Sequence, residues 1–210
     1  MFTIAYIYET VYSLIAMHEP LFKYIQKYSA IPLTEDNMRM IEEACIPKKF
    51  RKRQYLLQEG EVCKYLAFIL KGAMRQYSVD EKGTEHIVYL SIENWWAGDR
   101  ESHTMLTPSR YFIDAWEDTD ALLITRADSI KLSDSIPALK EASKKMDEKN
   151  AFALLNRVNA NISLSAEQRY AELEKKYPEF LQRFPQHIIA SYLGITKETL
   201  SRVRNRAVKK

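Results

Sequence analysis

Between Thr196 and Arg206 the chain sets Lys197, Arg202, Arg204, Asn205 and Arg206 outside an apolar pair, Leu200 and Val203. Cations left outside an apolar pair can neutralise a polyanion, and Thr and Ser hydroxyls among them add hydrogen-bonding groups. The stretch that must position them is Gln186–Arg206, QHIIASYLGITKETLSRVRNR. Ile188, Ile189 and Leu193 give one apolar face of a first short helix. Gly194 stands where a helix ends in a left-handed residue. Ile195 is apolar in the turn and is expected to tuck inward. Thr196 can cap a second helix through its hydroxyl. A helix–turn–helix with a basic second helix is the pattern of a DNA-reading unit. An amphipathic helical hairpin ending in solvated charge fits the same residues.

The charge distribution bears on that choice. The 210 residues carry a net charge of +3. Residues 181–210 hold seven Lys or Arg (Arg183, Lys197, Arg202, Arg204, Arg206, Lys209, Lys210) against Glu198 alone, which is +6 and leaves −3 for the rest. A basic end on a slightly acidic body suits a polyanion at that end, double-stranded DNA first. At 46% apolar and 28% charged residues the composition is that of a soluble globular chain.

Several chemistries are not expected. Cys45 and Cys63 form no CxxC pair, so four-thiolate iron–sulfur ligation and a cysteine zinc knuckle are excluded. Two thiols in a chain this long fit a reducing compartment, the cytoplasm, and read as inert side chains. His18, His86, His103 and His187 do not fall at metal spacing, and the HxH of a metal-binding cupin is missing. GxSxG, HExxH and GxxxxGK[ST] are absent. No enzyme, no metal site and no certain cofactor is expected. The apolar run FTIAYIYETVYSLIAM lacks a basic leader and a cleavage site and is short for a bilayer, so no membrane partner is expected. Met17 is a candidate biological start.

Four segments follow along the chain. Residues 1–45 read as N-terminal helices: Leu21, Tyr24, Ile25 and Tyr28 share a face, Pro32 breaks the run, and Thr34 opens a second helix. Residues 46–132 change to short β-rich runs, Tyr55–Leu57, Leu66–Leu70, Ala73–Val79, Glu85–Leu90, Tyr111–Trp116 and Ala121–Thr125, divided by turn residues. That spacing suggests a small antiparallel barrel or roll. Residues 133–163 return to helix, with Pro137 in the first turn. Leu139, Met146, Ala153 and Ala160 recur every seven residues, flanked by Ala142, Phe152, Leu155, Val158 and Ile162. Such a stripe can line a two-helix seam, although Lys149 and Asn156 fall on its companion positions. Residues 164–210 hold the helical end: Ser165 and Gln168 predict a capping box, Lys176-Tyr177-Pro178 a stop, and Glu179–Arg183 a short turn. The fold class expected is α+β.

Three pieces of this sequence, in order, resemble the Crp/Fnr family of bacterial transcription regulators. YLLQEGEVCKYLAFILKGAMRQY is similar to the family's roll signature. WWAGDRES sits where its ligand cassette begins. LGITKETLSRVRNR is similar to its recognition-helix pattern. The wording of NWWAGDRES and IASYLGITKETLSR is most similar to Bacteroidetes-type members. The resemblance covers roughly residues 20–206. It implies a cyclic-nucleotide-binding-like β-roll, a long dimerisation helix and a C-terminal helix–turn–helix. It also implies a homodimer that switches through an effector in the roll, with DNA and RNA polymerase as partners.

Carried over by residue, the resemblance puts Lys197, Glu198 and Arg202 at base edges. Arg202 can fork onto guanine, Glu198 can accept from cytosine N4, and Lys197 can reach guanine or phosphate. Glu198 also reads as a first-turn acid serving its own helix. Thr196, Thr199 and Ser201 become candidates for phosphate, and Arg204 and Arg206 for DNA backbone or fold. The chain stops at Lys210 without the β-hairpin wing of many relatives, so Lys209 and Lys210 are candidates for wing-type phosphate contacts. The effector-pocket set is Gly98, Asp99, Glu101, Arg110 and Tyr111. Here the pattern departs: Glu101 replaces a small residue, and Tyr111-Phe112 replace Ser/Thr-Ala. A carboxylate facing a phosphate is repulsive, so cyclic AMP is not expected, and the effector is unknown. Arg110 has a structural reading, pairing with Asp99 or Glu101. Trp95 and Trp96 could floor a pocket or be core. The alternative function is a small-molecule-binding β-roll sensor whose helical C-terminus mediates protein contacts.

Overall fold

The computed structural model describes residues 17–207. The readings placed on residues 1–16 and on Lys209 and Lys210 lie outside the described residues. Helix α1 covers residues 17–28 and α2 covers Glu35–Ala44, with Pro32 between them. Thr34 caps α2: its hydroxyl accepts from Asn37 N at 3.2 Å, and Asn37 Oδ1 accepts from Thr34 N at 3.3 Å. This reciprocal box fixes where the helix begins. Leu21 and Ile25 of α1 and Ile41 of α2 are buried in one cluster with Phe68, Leu122, Leu132 and Ile136.

Eight strands follow: β1 (Ile46–Phe50), β2 (Tyr55–Leu57), β3 (Tyr65–Lys71), β4 (Met74–Val79), β5 (Glu85–Ser91), β6 (Trp96–Ala97), β7 (Phe112–Ala115) and β8 (Thr119–Thr125). They form two four-stranded sheets, in the orders β1-β8-β3-β6 and β2-β7-β4-β5. The β1–β8, β3–β8, β3–β6 and β2–β7 pairings are antiparallel. A second apolar cluster, with Phe50, Leu57, Ile69, Met74, Ile113 and Ala121, fills the roll. Arg75 of β4 and Asp114 of β7 are both buried and meet as a fork, Nε to Oδ1 at 2.8 Å and Nη2 to Oδ2 at 3.0 Å. Two parallel bonds satisfy both charges where water cannot.

Strands β1 and β6 were not expected. Four of the five β1 residues are exposed, and its IPKKF sequence carries Pro47 and two lysines, so no apolar alternation marks it. Edge strands often look like this. Strand β6 has only two residues. Helix α3 (Arg100–Met105) lies inside the expected roll, and α4 (Arg126–Ser135) begins before the expected Ser133 start. Thr125 caps α4 by accepting from Asp128 N at 3.1 Å, and only Leu132 of the helix is buried, so no apolar stripe announced it.

The chain divides into two compact units. One comprises residues up to 76 together with 90–147, and the other residues 77–89 together with 148 onward. Helix α5 (Pro137–Ser163) starts at Pro137, whose missing N–H is no loss there. Ala138 and Ala142 are buried and Leu139 packs against the same core, so the early part of the seven-residue stripe is used inside the first unit. The large exposed apolar groups of α5 are Phe152, Leu154, Leu155, Val158 and Ile162. Beyond Asp147 the repeat is exposed at Ala153 and half-buried at Ala160, and the residues that flank it, Phe152, Leu155, Val158 and Ile162, are exposed beside Asn159.

Candidate nucleic-acid interface

Four helices build the helical end: α6 (Ala166–Lys176), α7 (Pro178–Arg183), α8 (Gln186–Tyr192) and α9 (Lys197–Ala207). Ser165 caps α6 by accepting from Gln168 N at 3.2 Å, and Gln168 Oε1 accepts from Ser165 N at 2.9 Å. The stretch Glu179–Arg183, expected as a turn, is the body of α7. Pro178 can start a helix, and Phe180 anchors it at 0% exposure. Phe184, Ile188, Ile189, Leu193, Leu200 and Val203 are buried as well.

The α8–α9 turn is a double-bonded helix stop. Gly194 N donates to Ser191 O at 3.0 Å and Ile195 N donates to Ala190 O at 3.0 Å. These are the two bonds of a Schellman motif, and Gly194 has the left-handed φ of +65° that it requires. Ile195 is half-buried. Thr196 Oγ1 accepts from Thr199 N at 3.2 Å and so caps α9. With both ends fixed, burial of Leu200 and Val203 sets the roll of α9 about its axis and turns its other face outward.

That outward face gathers half of the DNA-binding candidates. Lys197, Glu198, Ser201 and Arg202 line one shallow concavity together with Gln186, the first residue of α8. Gln186 was not picked out from sequence; its place at a helix start beside a basic helix was the available signal. Arg202 Nη2 donates to Thr199 Oγ1 at 3.2 Å, which holds the guanidinium along α9. Thr196 and Thr199 also share a hydroxyl bond of 3.1 Å, so both hydroxyls are engaged within the helix start. Arg204 and Arg206 turn elsewhere. Arg206 Nη1 lies 3.1 Å from Glu167 Oε1, and Arg204 hydrogen-bonds the Tyr170 hydroxyl, tying α9 to α6. The concavity can therefore offer a guanidinium, an ammonium, a carboxylate, a hydroxyl and an amide to one ligand edge.

The residues proposed for an effector pocket are placed differently. Asp99 is buried and caps α3, accepting from Glu101 N at 3.1 Å and Ser102 N at 3.3 Å. Its second oxygen accepts the Ser109 hydroxyl at 2.7 Å. Glu101 and Arg110 are exposed, Tyr111 is half-buried, and Gly98 precedes the cap. Arg110 pairs with neither Asp99 nor Glu101, which corrects that expectation: Ser109 and the helix-start amides satisfy Asp99 instead. Ser102 and His103 staple α3 to the chain at Cys63, with Cys63 N donating to Ser102 Oγ at 2.9 Å and His103 Nδ1 to Cys63 O at 3.1 Å. Both thiols are buried and free, and burial pushes that of Cys45 up to about 12. Trp96 packs its ring on Phe68 with centroids 5.2 Å apart, a core role.

Comparison with known proteins places these features. Residues 47–135 match the cyclic nucleotide-binding domain family. The chain is 27% identical to the anaerobic regulatory protein of Aggregatibacter actinomycetemcomitans over 170 residues, 76% of this chain and 65% of that protein. It spans about two thirds of the length of the curated relatives it matches. FixK2 from Bradyrhizobium japonicum has a similar fold, with a TM-score of 0.69 and 19% identity over 79% of this chain and 85% of that one. A transcriptional regulator of the Crp/Fnr family from Eubacterium rectale aligns with a TM-score of 0.63 and 17% identity, covering 84% and 85%.

Proposed function

We propose that this chain is a member of the Crp/Fnr family, a sequence-specific DNA-binding transcription regulator that acts as a homodimer. One observation carries the reading: a capped, Schellman-stopped helix–turn–helix directs Lys197, Glu198, Ser201 and Arg202 outward around one concavity. Two copies would set their α9 helices in successive major grooves about 34 Å apart on a near-palindromic site. Arg202 would fork onto guanine and Glu198 would accept from cytosine, while Lys197, Ser201 and Gln186 would take phosphate or a neighbouring base edge. Arg204 and Arg206 hold the fold through α6.

The four segments divide the work. Residues 17–45 support the roll, 46–132 sense, 133–163 pair two copies through Phe152, Leu155, Asn159 and Ile162, and 164–207 read DNA. Within the sensing segment, Asp99 takes two backbone amides and a hydroxyl that an anionic effector would need, which argues for an effector other than cyclic AMP. RNA polymerase is the expected downstream partner, in the cytoplasm. Among the described residues no helix is long and apolar enough to cross a membrane.

The test uses Arg202→Ala in the full chain with duplexes selected by the wild type from a randomised pool. Loss of one bidentate contact should weaken specific binding by about 1–3 kcal/mol and leave the dimer intact. Binding to random duplex should fall steeply with salt in both proteins. Unchanged specific affinity in the variant would remove α9 as the reading helix.

A further inference from the structure

In the sheet order β2-β7-β4-β5, β5 is an edge strand, and its outer backbone groups need partners. Within the second compact unit, side chains from two helices supply them. Ile87 N donates to Ser191 Oγ at 2.9 Å, and the Ser191 hydroxyl donates on to Glu85 O at 3.2 Å. A single serine of α8 thus serves β5 as a neighbouring strand would, giving one acceptor and one donor. Farther along, Arg157 of α5 donates through Nη1 to Val88 O and through Nη2 to Ile87 O at 3.5 Å. The same guanidinium lies over the Tyr192 ring, 4.5 Å from its centroid, and Tyr192 meets Phe180 edge-on at 6.0 Å. Arg157 follows Leu155 by two residues, which puts it about 200° round the helix from that member of the exposed seam. One side of α5 is open for a partner copy and the other grips the hairpin.

We propose that Ser191 and Arg157 are positioning residues that latch α8 to the β4–β5 hairpin, so that the hairpin fixes the bearing of the reading helix. This rests on α9 being the DNA reader. Tyr192 and Ser191 sit in the last turn of α8, immediately before the Gly194 stop, so a hold on them is a hold on the α8–α9 turn. A reading helix with a fixed bearing can demand one half-site spacing; one released from the hairpin samples several. The fraction of molecules competent for a given spacing then falls, and apparent affinity falls with it. A change in residues 85–88 of β5 reaches α8 through the Ser191 and Arg157 side chains.

The experiment measures Ser191→Ala, Arg157→Ala and the double variant, each as the full-length dimer. The probes are the duplex that the wild type selects from a randomised pool and the same duplex with one base pair added or removed between half-sites. The latch requires about fivefold to tenfold weaker binding to the selected duplex, the factor that the loss of one ordinary hydrogen bond of about 1 kcal/mol gives. It also requires a spacing preference that falls toward equality. Binding to random duplex and the thermal midpoint should change little, and Arg157→Lys, which keeps the charge but not the fork or the stacking plane, should fall between wild type and Ala. Unaltered spacing preference in the double variant overturns the latch, as does a loss of affinity that merely follows a lowered midpoint. Arg202→Ala in parallel separates the two readings: if it too leaves binding unchanged, α9 is not the reader; if it abolishes specific binding while the latch variants do not respond, only the latch is wrong.

Discussion

The Ser109 hydroxyl donates to the buried Asp99 carboxylate at 2.7 Å, and the same carboxylate caps the first turn of α3. Three donors therefore converge on an anion that belongs to the protein itself. Asp99→Ala should cost about 2 kcal/mol, from a lost cap and the lost bond to the Ser109 hydroxyl. Ser109→Ala removes one donor and leaves the two amides, so it should cost about 1 kcal/mol. Urea unfolding of both singles and the double gives the coupling, and strictly additive losses would show that the two side chains do not act together.

Gly194 is the one residue of the α8–α9 turn with left-handed backbone, and a Cβ there would meet its nearest neighbour, Arg169 Nη1, at 3.7 Å. Space is adequate, so the conformation alone sets the penalty. Gly194→Ala should lower stability by about 1 kcal/mol and leave the specificity of the folded fraction unaltered. Calorimetry together with DNA titration at low temperature checks this; altered base preference at full folding would mean that the turn has been reshaped.

Much of this organisation is legible in the sequence because local signals and tertiary packing agree. Thr34, Ser165 with Gln168, and Gly194 with Thr196 mark helix ends by chemistry that needs only a few neighbouring residues. The legible strands have apolar residues to bury. Strand β1 was silent because Pro47, Lys48 and Lys49 are exposed and long-range pairing to β8 makes them a strand. On α5 the seven-residue repeat marks the helix and its flanking apolar residues, but which of them stay open, Phe152, Leu155 and Ile162 among them, depends on packing that periodicity does not carry. Ser109 and the Ser191–Arg157 pair left no signal for another reason. Each earns its place through a partner distant in sequence, and no periodicity carries that information.

The stripe on α5 gives a prediction about association. Phe152 is 63% exposed, Leu155 64% and Ile162 81%, and Asn159 lies between them at seam spacing. In a parallel pair of helices a lone Asn in the seam fixes register and stoichiometry at some expense of stability. Phe152→Ala with Ile162→Ala should shift the monomer–dimer equilibrium at least tenfold toward monomer. Asn159→Leu should tighten association while admitting higher oligomers. Sedimentation equilibrium distinguishes these outcomes, and a double variant as dimeric as the wild type would place the interface elsewhere.

His103 makes stability depend on pH in a window of its own. Burial holds its pKa below the ordinary value of about 6.5, and Arg126 and Arg100 push the same way. Its Nδ1 faces Cys63 O, and its Nε2 is buried without a partner. The folded state therefore resists the proton that the unfolded chain accepts. Stability should be full above about pH 6.5 and decline as pH falls below it. Asp80 and Glu141 have pKa values lowered to about 2, by His86 and Lys145 respectively, so their contributions are lost only in far stronger acid. His103→Asn keeps a donor toward Cys63 O and removes the titration. Its unfolding free energy should be flatter than that of the wild type between pH 7 and pH 5, measured by denaturant titration at each pH; parallel slopes in the two proteins would assign the acid sensitivity to another group.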